Sequence, residues 1–188
     1  MRPPAGGVAV LAATVFASLA LADEAKKPAG PPPAPKPEAI LTATFKPDVG
    51  TWNCSGMMKA GDKELPTKSQ FILRSELDGF LYGGEFQVGK SAELPTGMKG
   101  HIHWAWDPGS KKLVEFGVDS MGNVFRGTSD GLQGDTAVWN EEGTYEGKPV
   151  KTRTTVKRSG GKEMTVTSEM DMNGTWTKMG EDHCKKSK

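Results

Sequence analysis

Cys54 and Cys184 are the only cysteines in the chain, and they stand near the two ends of a long run of short alternating segments. Gly50-Thr51-Trp52 opens that run just before the first cysteine, and Gly174-Thr175-Trp176 introduces the last segment before the second. If the two thiols form one bridge, the first and last strands must lie side by side. Turn signals recur roughly every ten residues between them, a spacing typical of all-β domains. They include Asp78-Gly79, Gly109-Ser110, Met121-Gly122-Asn123, Asp130-Gly131, Gly134-Asp135, Glu146-Gly147, Gly160-Gly161 and Asn173-Gly174.

The pieces between turns alternate with period two, which sends one set of side chains inward and the other to water. Met164, Val166, Met170 and Met172 share a face, opposite Thr165, Thr167, Glu169 and Asp171. Phe71, Leu73 and Leu77 oppose Ile72, Arg74 and Glu76, while Phe80, Tyr82, Phe86 and Val88 oppose Glu85 and Gln87. Val150, Thr152, Thr154 and Val156 oppose Lys151, Arg153 and Lys157. Val114, Phe116 and Val118 oppose Glu115 and Asp119, which predicts the apolar three as the inward set. About ten strands result, from Thr51–Lys59 to Thr175–Gly180, with helical character confined to short pieces near Pro66 or Ala92. The fold class is all-β, an antiparallel up-and-down barrel of about ten strands, because closure removes two long exposed edges.

The N-terminus reads as a secretory signal peptide over residues 1–22. Met1-Arg2 is followed by an uncharged apolar run from Val8 to Leu21, with a small-x-small site at Ala20-Leu21-Ala22. That run is shorter than the roughly 20 residues a spanning helix needs, so no membrane span is expected after cleavage. Residues 23–40 form a Pro-, Ala- and Lys-rich linker of extended character. Residues 41–184 are the barrel domain, and 185–188 a basic tail. Secretion or residence in the periplasm permits a disulfide, and the absence of a Cys-x-x-Cys favours Cys54–Cys184 as structural over a pair of reactive thiols or metal ligands. The formal net charge of +1, with acids and bases interspersed, argues against nucleic acid as a partner.

Two resemblances follow from particular residues. The succession Trp104-x-Trp106-Asp107-Pro108, Lys111-Lys112-Leu113-Val114, Val118-Asp119-Ser120-Met121-Gly122 and Gly127-x-x-x-Gly131 resembles a family of secreted bacterial proteins, described only as a domain of unknown function, with a lipocalin-like (calycin) barrel. The resemblance implies that fold and a cell-envelope setting, and carries no reaction. Gly50-x-Trp52 is similar to the opening of lipocalins, where the tryptophan plugs the closed end. Gly50-x-Trp52-x-x-x-Gly56 also resembles nitrobindin-type barrels, which ligate haem through a late histidine; His183 is the late histidine here, outside the last alternating segment.

His101 and His103, spaced i, i+2 opposite Ile102, Trp104 and Trp106, are the sharpest polar pair and the start of a metal site, with Asp107 on the same face. Both fit equally a polar lumen or solvent. Among Arg74, Arg126 and Arg153, Arg126 is the first choice for an inward cation able to anchor a carboxylate, since it shares a face with Val124. No Gly-x-Ser-x-Gly, His-Glu-x-x-His, phosphate loop or dinucleotide fingerprint is present. The sequence thus leads to a barrel holding a small, partly apolar or amphipathic ligand, with no cofactor and no defined reaction. Tyr82, Phe86, His101, His103 and Arg126 are the expected lining. The alternatives are an envelope interaction module with a packed lumen, and a metal- or haem-dependent activity at His101 and His103.

Overall fold

A computed structural model describes residues 34–91, 94–145 and 147–187. The expected signal peptide, most of the linker and the Ala92 segment lie outside the described residues. The strands are β1 (Gly50–Ala60), β2 (Lys63–Glu76), β3 (Leu81–Val88), β4 (Met98–Asp107), β5 (Lys112–Asp119) and β6 (Val124–Ser129). They continue as β7 (Leu132–Gln133), β8 (Thr136–Tyr145), β9 (Lys148–Arg158), β10 (Glu163–Met172) and β11 (Thr175–Lys186). Each pairs antiparallel with its neighbours, and two junctions close the ring. At one, β1 meets β11 from Trp52↔Lys186 to Met58↔Gly180. At the other, β6 meets β8 from Phe125↔Gly143 to Thr128↔Asn140. The two-residue β7 pairs only with β8 and stands outside the ring, so ten strands form the barrel.

Cys54 and Cys184 are directly opposite one another in the β1–β11 register and are joined by a disulfide. The bridge spans a sequence separation of 130. On the chain-entropy account a loop of that length stabilises by about 4–5 kcal/mol. Turn chemistry fixes the hairpins. Asn173 and Gly174, at φ 58° and 86°, form the two-residue link between β10 and β11, and Asp171 Oδ1 accepts the Gly174 N–H at 2.6 Å.

One end of the barrel is closed by a segment the strand pattern does not reveal. A helix, α1 (Ala39–Phe45), and a 3₁₀ turn (Lys46–Asp48) precede β1. Seven residues are too few for a helix to persist by propensity, so packing holds it. Leu41 and Phe45 are buried in a cluster with Leu73, Tyr82, Trp104, Leu113 and Trp139. The Phe45 ring lies 5.2 Å from Tyr82, 5.1 Å from Trp104 and 6.0 Å from Trp139, centroid to centroid. Arg158, at the end of β9, ties the plug down: its Nε donates to Asp48 Oδ2 at 3.0 Å, and its Nη2 reaches the Thr44 carbonyl. Trp52 is fully buried beside the plug and donates its indole N–H to the Asp48 carbonyl at 2.8 Å.

Several expectations are corrected. The folded region reaches back into residues 23–40, since α1 begins at Ala39. The basic tail is partly strand, because β1 supplies a pairing partner as far as Lys186, and Ser187 N–H still donates to the Thr51 carbonyl. His183 therefore lies within β11 rather than beyond it. Pro66 sits in β2, not in a helix. The phase of β5 and β6 is opposite to that expected: Leu113, Glu115, Gly117, Phe125, Gly127 and Ser129 point inward, while Phe116 is 52% exposed. The cause is the mixed character of these inward sets. Gly117 lies under the Phe125 ring, where a Cβ would stand 2.1 Å from it, and Glu115 finds a partner inside. A hydropathy reading assigns both residue types to solvent, and one residue of phase error turns a whole strand over.

Candidate functional site

The inward faces enclose a cavity of about 450 Å³. It runs from Phe45, Trp104 and Trp139 at the plugged end to Asn123, Thr144 and Tyr145 at the opposite rim. The wall between is largely apolar, carrying Phe71, Phe86, Ile102, Phe125, Val156, Val166 and Met170. Inward glycines give this wall its width by letting rings lie flat on backbone. A Cβ on Gly84 would stand 2.6 Å from the Phe71 ring and 2.8 Å from that of Trp104. One on Gly100 would stand 2.4 Å from Phe86. The Cys54–Cys184 bridge also faces this space. Such a lumen is the right size and character to hold a small ligand.

A pair of carboxyl groups interrupts the apolar wall. Glu115, on β5, is 7% exposed. Its Oε2 accepts the Trp104 indole N–H at 2.8 Å, while Oε1 is buried without a hydrogen-bond partner. Glu141, on β8, comes alongside over Gly127. A Cβ on that glycine would stand 2.4 Å from Glu115 Oε1 and 2.9 Å from Glu141 Cγ. Thr152 Oγ1 donates to Glu141 Oε2 at 2.6 Å. Burial, reinforced by the Glu141 charge and opposed by the Trp104 N–H, pushes the Glu115 pKa up to about 9. At neutral pH Glu115 therefore keeps its proton. Two ionised carboxylates cannot hydrogen-bond to each other; a proton on Oε1 makes Glu115 a donor toward Glu141.

The remaining charged lining is also acidic. Asp48, Asp119 and Asp182 face the cavity, and among the described lining residues Arg158 is the one cation. Arg158 is committed to Asp48 and the Thr44 carbonyl. Asp182 Oδ1 accepts the Thr67 hydroxyl at 2.6 Å, and Asp119 holds the Asn123 backbone and side chain at the rim.

Of the residues expected to line the lumen, Phe86 does so. Tyr82 points inward but is buried beneath Phe45 in the plug cluster. His101 and His103 stand on the outer wall, in the phase opposite to Ile102 and Trp104, which line the cavity. Their cross-strand neighbours are Glu85 and Val118 for His101, and Gly83 and Phe116 for His103. Arg126 is likewise external, between Phe116 and Glu142 in register. Arg74 pairs with Glu85 on the outside, and Arg153 pairs with Glu169 while its guanidinium sits 4.7 Å over the Trp176 ring. His183 faces outward with Thr165, opposite in phase to Cys184, so it cannot ligate a haem inside the barrel. Among the described residues no group of three or more His, Cys, Asp or Glu is arranged to hold a metal ion. The carboxyl pair and Arg158 were not singled out in the sequence. The one sequence signal of the pair is Gly127 inside a strand, where close approach of another group is the usual reason.

No protein-family model and no curated protein matches the chain. Among solved structures, the fold is similar to the crystal structure of Rv2717c from M. tuberculosis, with a TM-score of 0.57 and 9% identity over 81% of this chain and 100% of that one. The S-type phycobiliprotein lyase CPES from Guillardia theta gives a TM-score of 0.49 at 11% identity, over 82% of this chain and 99% of that one. EF1p2_mFAP2b bound to DFHBI gives 0.38 at 11% identity, over 79% and 99%. At such identities the likeness is one of fold. The chain is a closed, antiparallel, ten-stranded β-barrel, consistent with a calycin-type fold.

Proposed function

We propose that the protein is an exported binding barrel that takes a small, partly apolar molecule into its lumen and performs no reaction on it. The observation that carries this reading is the cavity of about 450 Å³ with an aromatic floor and apolar walls that reaches the rim opposite the plug. A packed lumen, as a purely structural barrel would have, leaves no such space. Export is supported by the apolar run from Val8 to Leu21 with its Ala20-Leu21-Ala22 site, and by a disulfide that an oxidising compartment would preserve. The test is native mass spectrometry on protein purified from the periplasm, beside a denatured sample. The expected result is a small-molecule mass lost on denaturation, or uptake of an apolar fluorescent dye displaced by amphipathic compounds. Failure of both would overturn the reading.

A second role is favoured by the outer wall. Phe116, Val118 and Val124 are exposed next to one another on β5 and β6, flanked by His101, His103 and Arg126. An apolar patch rimmed by polar groups is the kind of surface a protein partner covers.

A further inference from the structure

We propose that the lumen is built for a cation: an amphipathic amine whose ammonium group sits against the Glu115–Glu141 carboxyl pair and whose apolar body fills the aromatic sleeve. This rests on the ligand-binding reading above and names the chemical class of its ligand. Three observations carry it. First, Glu115 Oε1 is buried with no donor of the chain reaching it; the group beside it is the Glu141 carboxyl, and both residues line the cavity. The shared proton leaves the pair one negative charge, which a charged donor supplied by a ligand would offset. Second, the charges around it are of one sign. Glu141 approaches from β8, Asp182 faces in from β11, Asp119 stands at the rim and Asp48 at the plug. Arg158, the one cation among the described lining residues, is already paired with Asp48. Such a lumen repels a carboxylate, the ligand chemistry that an inward Arg126 would have suited. Third, Trp104, whose indole N–H fixes Glu115, and Phe71, edge-on to Trp104 at 6.1 Å, place aromatic rings beside the pair. Aromatic faces attract an ammonium group as well as an apolar chain.

The stoichiometry is consistent. Two carboxyl groups sharing one proton keep one negative charge, and one ammonium group neutralises it. An ammonium has three N–H donors. One meets the Glu141 carboxylate, whose Oε2 already accepts from Thr152, and the others are left for the ring faces beside the pair. The remaining body lies along Phe86, Phe125 and Val166 toward the rim.

The test uses three probes with one apolar body: phenylbutylamine, phenylbutanol and phenylbutyrate, titrated calorimetrically into the exported, disulfide-bonded protein at neutral pH. The amine is expected to bind about tenfold or more tightly than the alcohol, as charge-assisted hydrogen bonds require, and the carboxylate weakest of all. Glu141→Gln is expected to abolish the preference for the amine while leaving alcohol binding in place, and Glu115→Gln, which imitates the protonated acid, is expected to keep it. Should Glu141→Gln fail to fold, the ratio of amine to alcohol affinity in the wild type decides. Equal binding of amine and alcohol, or tightest binding of the carboxylate, would overturn the charge assignment and leave the binding barrel standing. Absence of binding by all three would overturn both.

Discussion

At the residue scale the chemistry of this barrel concentrates in Glu115. Its pKa, displaced from an ordinary 4.5 to about 9, ties folding to pH with a definite sign. Below about pH 4.5 the group is protonated whether the chain is folded or not. Between the two values the folded protein holds a proton that the unfolded chain releases, so unfolding becomes easier as pH rises, by up to about 1.4 kcal/mol per pH unit. Glutamine at this position imitates the protonated acid and lacks the dependence. Urea denaturation of wild type and Glu115→Gln at pH values from about 5 to about 8 is therefore expected to show the wild type losing ground steadily. A constant difference would mean that Glu115 is not held protonated. None of this was legible in the chain. Glu115 stands in an alternating run next to Phe116, and period two places the phenylalanine inside. Trp104, next to His103 on β4, is the residue that reverses the assignment, and its indole reaches Glu115 only because β4 and β5 are paired with Trp104 and Glu115 in register.

At the element scale, the strands with a uniform apolar face were readable and the mixed ones were not. Phe71 and Leu73 on β2, Val150, Thr152, Thr154 and Val156 on β9, and Met164, Val166 and Met170 on β10 face the lumen as alternation predicts. β5 and β6 break the rule because their inward positions are occupied by glycine and a carboxyl group. The plug escaped for a different reason. α1 is less than two turns long, is preceded by Glu38, which makes no side-chain cap, and follows a Pro-rich stretch, so neither periodicity nor a start signal marks it. Its largest apolar anchor is the Phe45 ring, beside Leu41, and Arg158 and Trp52 tie down the turn that follows. Phe45→Ala removes a ring that touches Tyr82, Trp104 and Trp139, and is expected to lower stability by about 3–5 kcal/mol in urea denaturation. A loss below about 1 kcal/mol, the usual range for a surface change, would show that the plug is not docked.

At the scale of the whole molecule, the two cysteines carried the most information. They required the first and last strands to be neighbours, and β1 and β11 are, with Cys54 facing Cys184 in register. Closure of ten strands then creates an interior, and whether that interior is full depends on side-chain volumes that a pattern of apolar and polar residues does not encode. Here glycines at Gly84, Gly100, Gly117 and Gly127 thin the wall and leave a lumen. The net charge of +1 likewise concealed an acidic inside, since among the described residues lining the cavity Arg158 is the one base beside several carboxyl groups. The outer face of Phe116, Val118 and Val124 offers the competing site for any apolar probe. The most direct measurement is therefore an NMR titration of the labelled protein with phenylbutylamine. The account predicts shifts at the Trp104 and Trp139 indoles and at Phe86, Phe125 and Val166, with His101, His103 and Phe116 unmoved. Shifts confined to the outer face, or none at all, would contradict it.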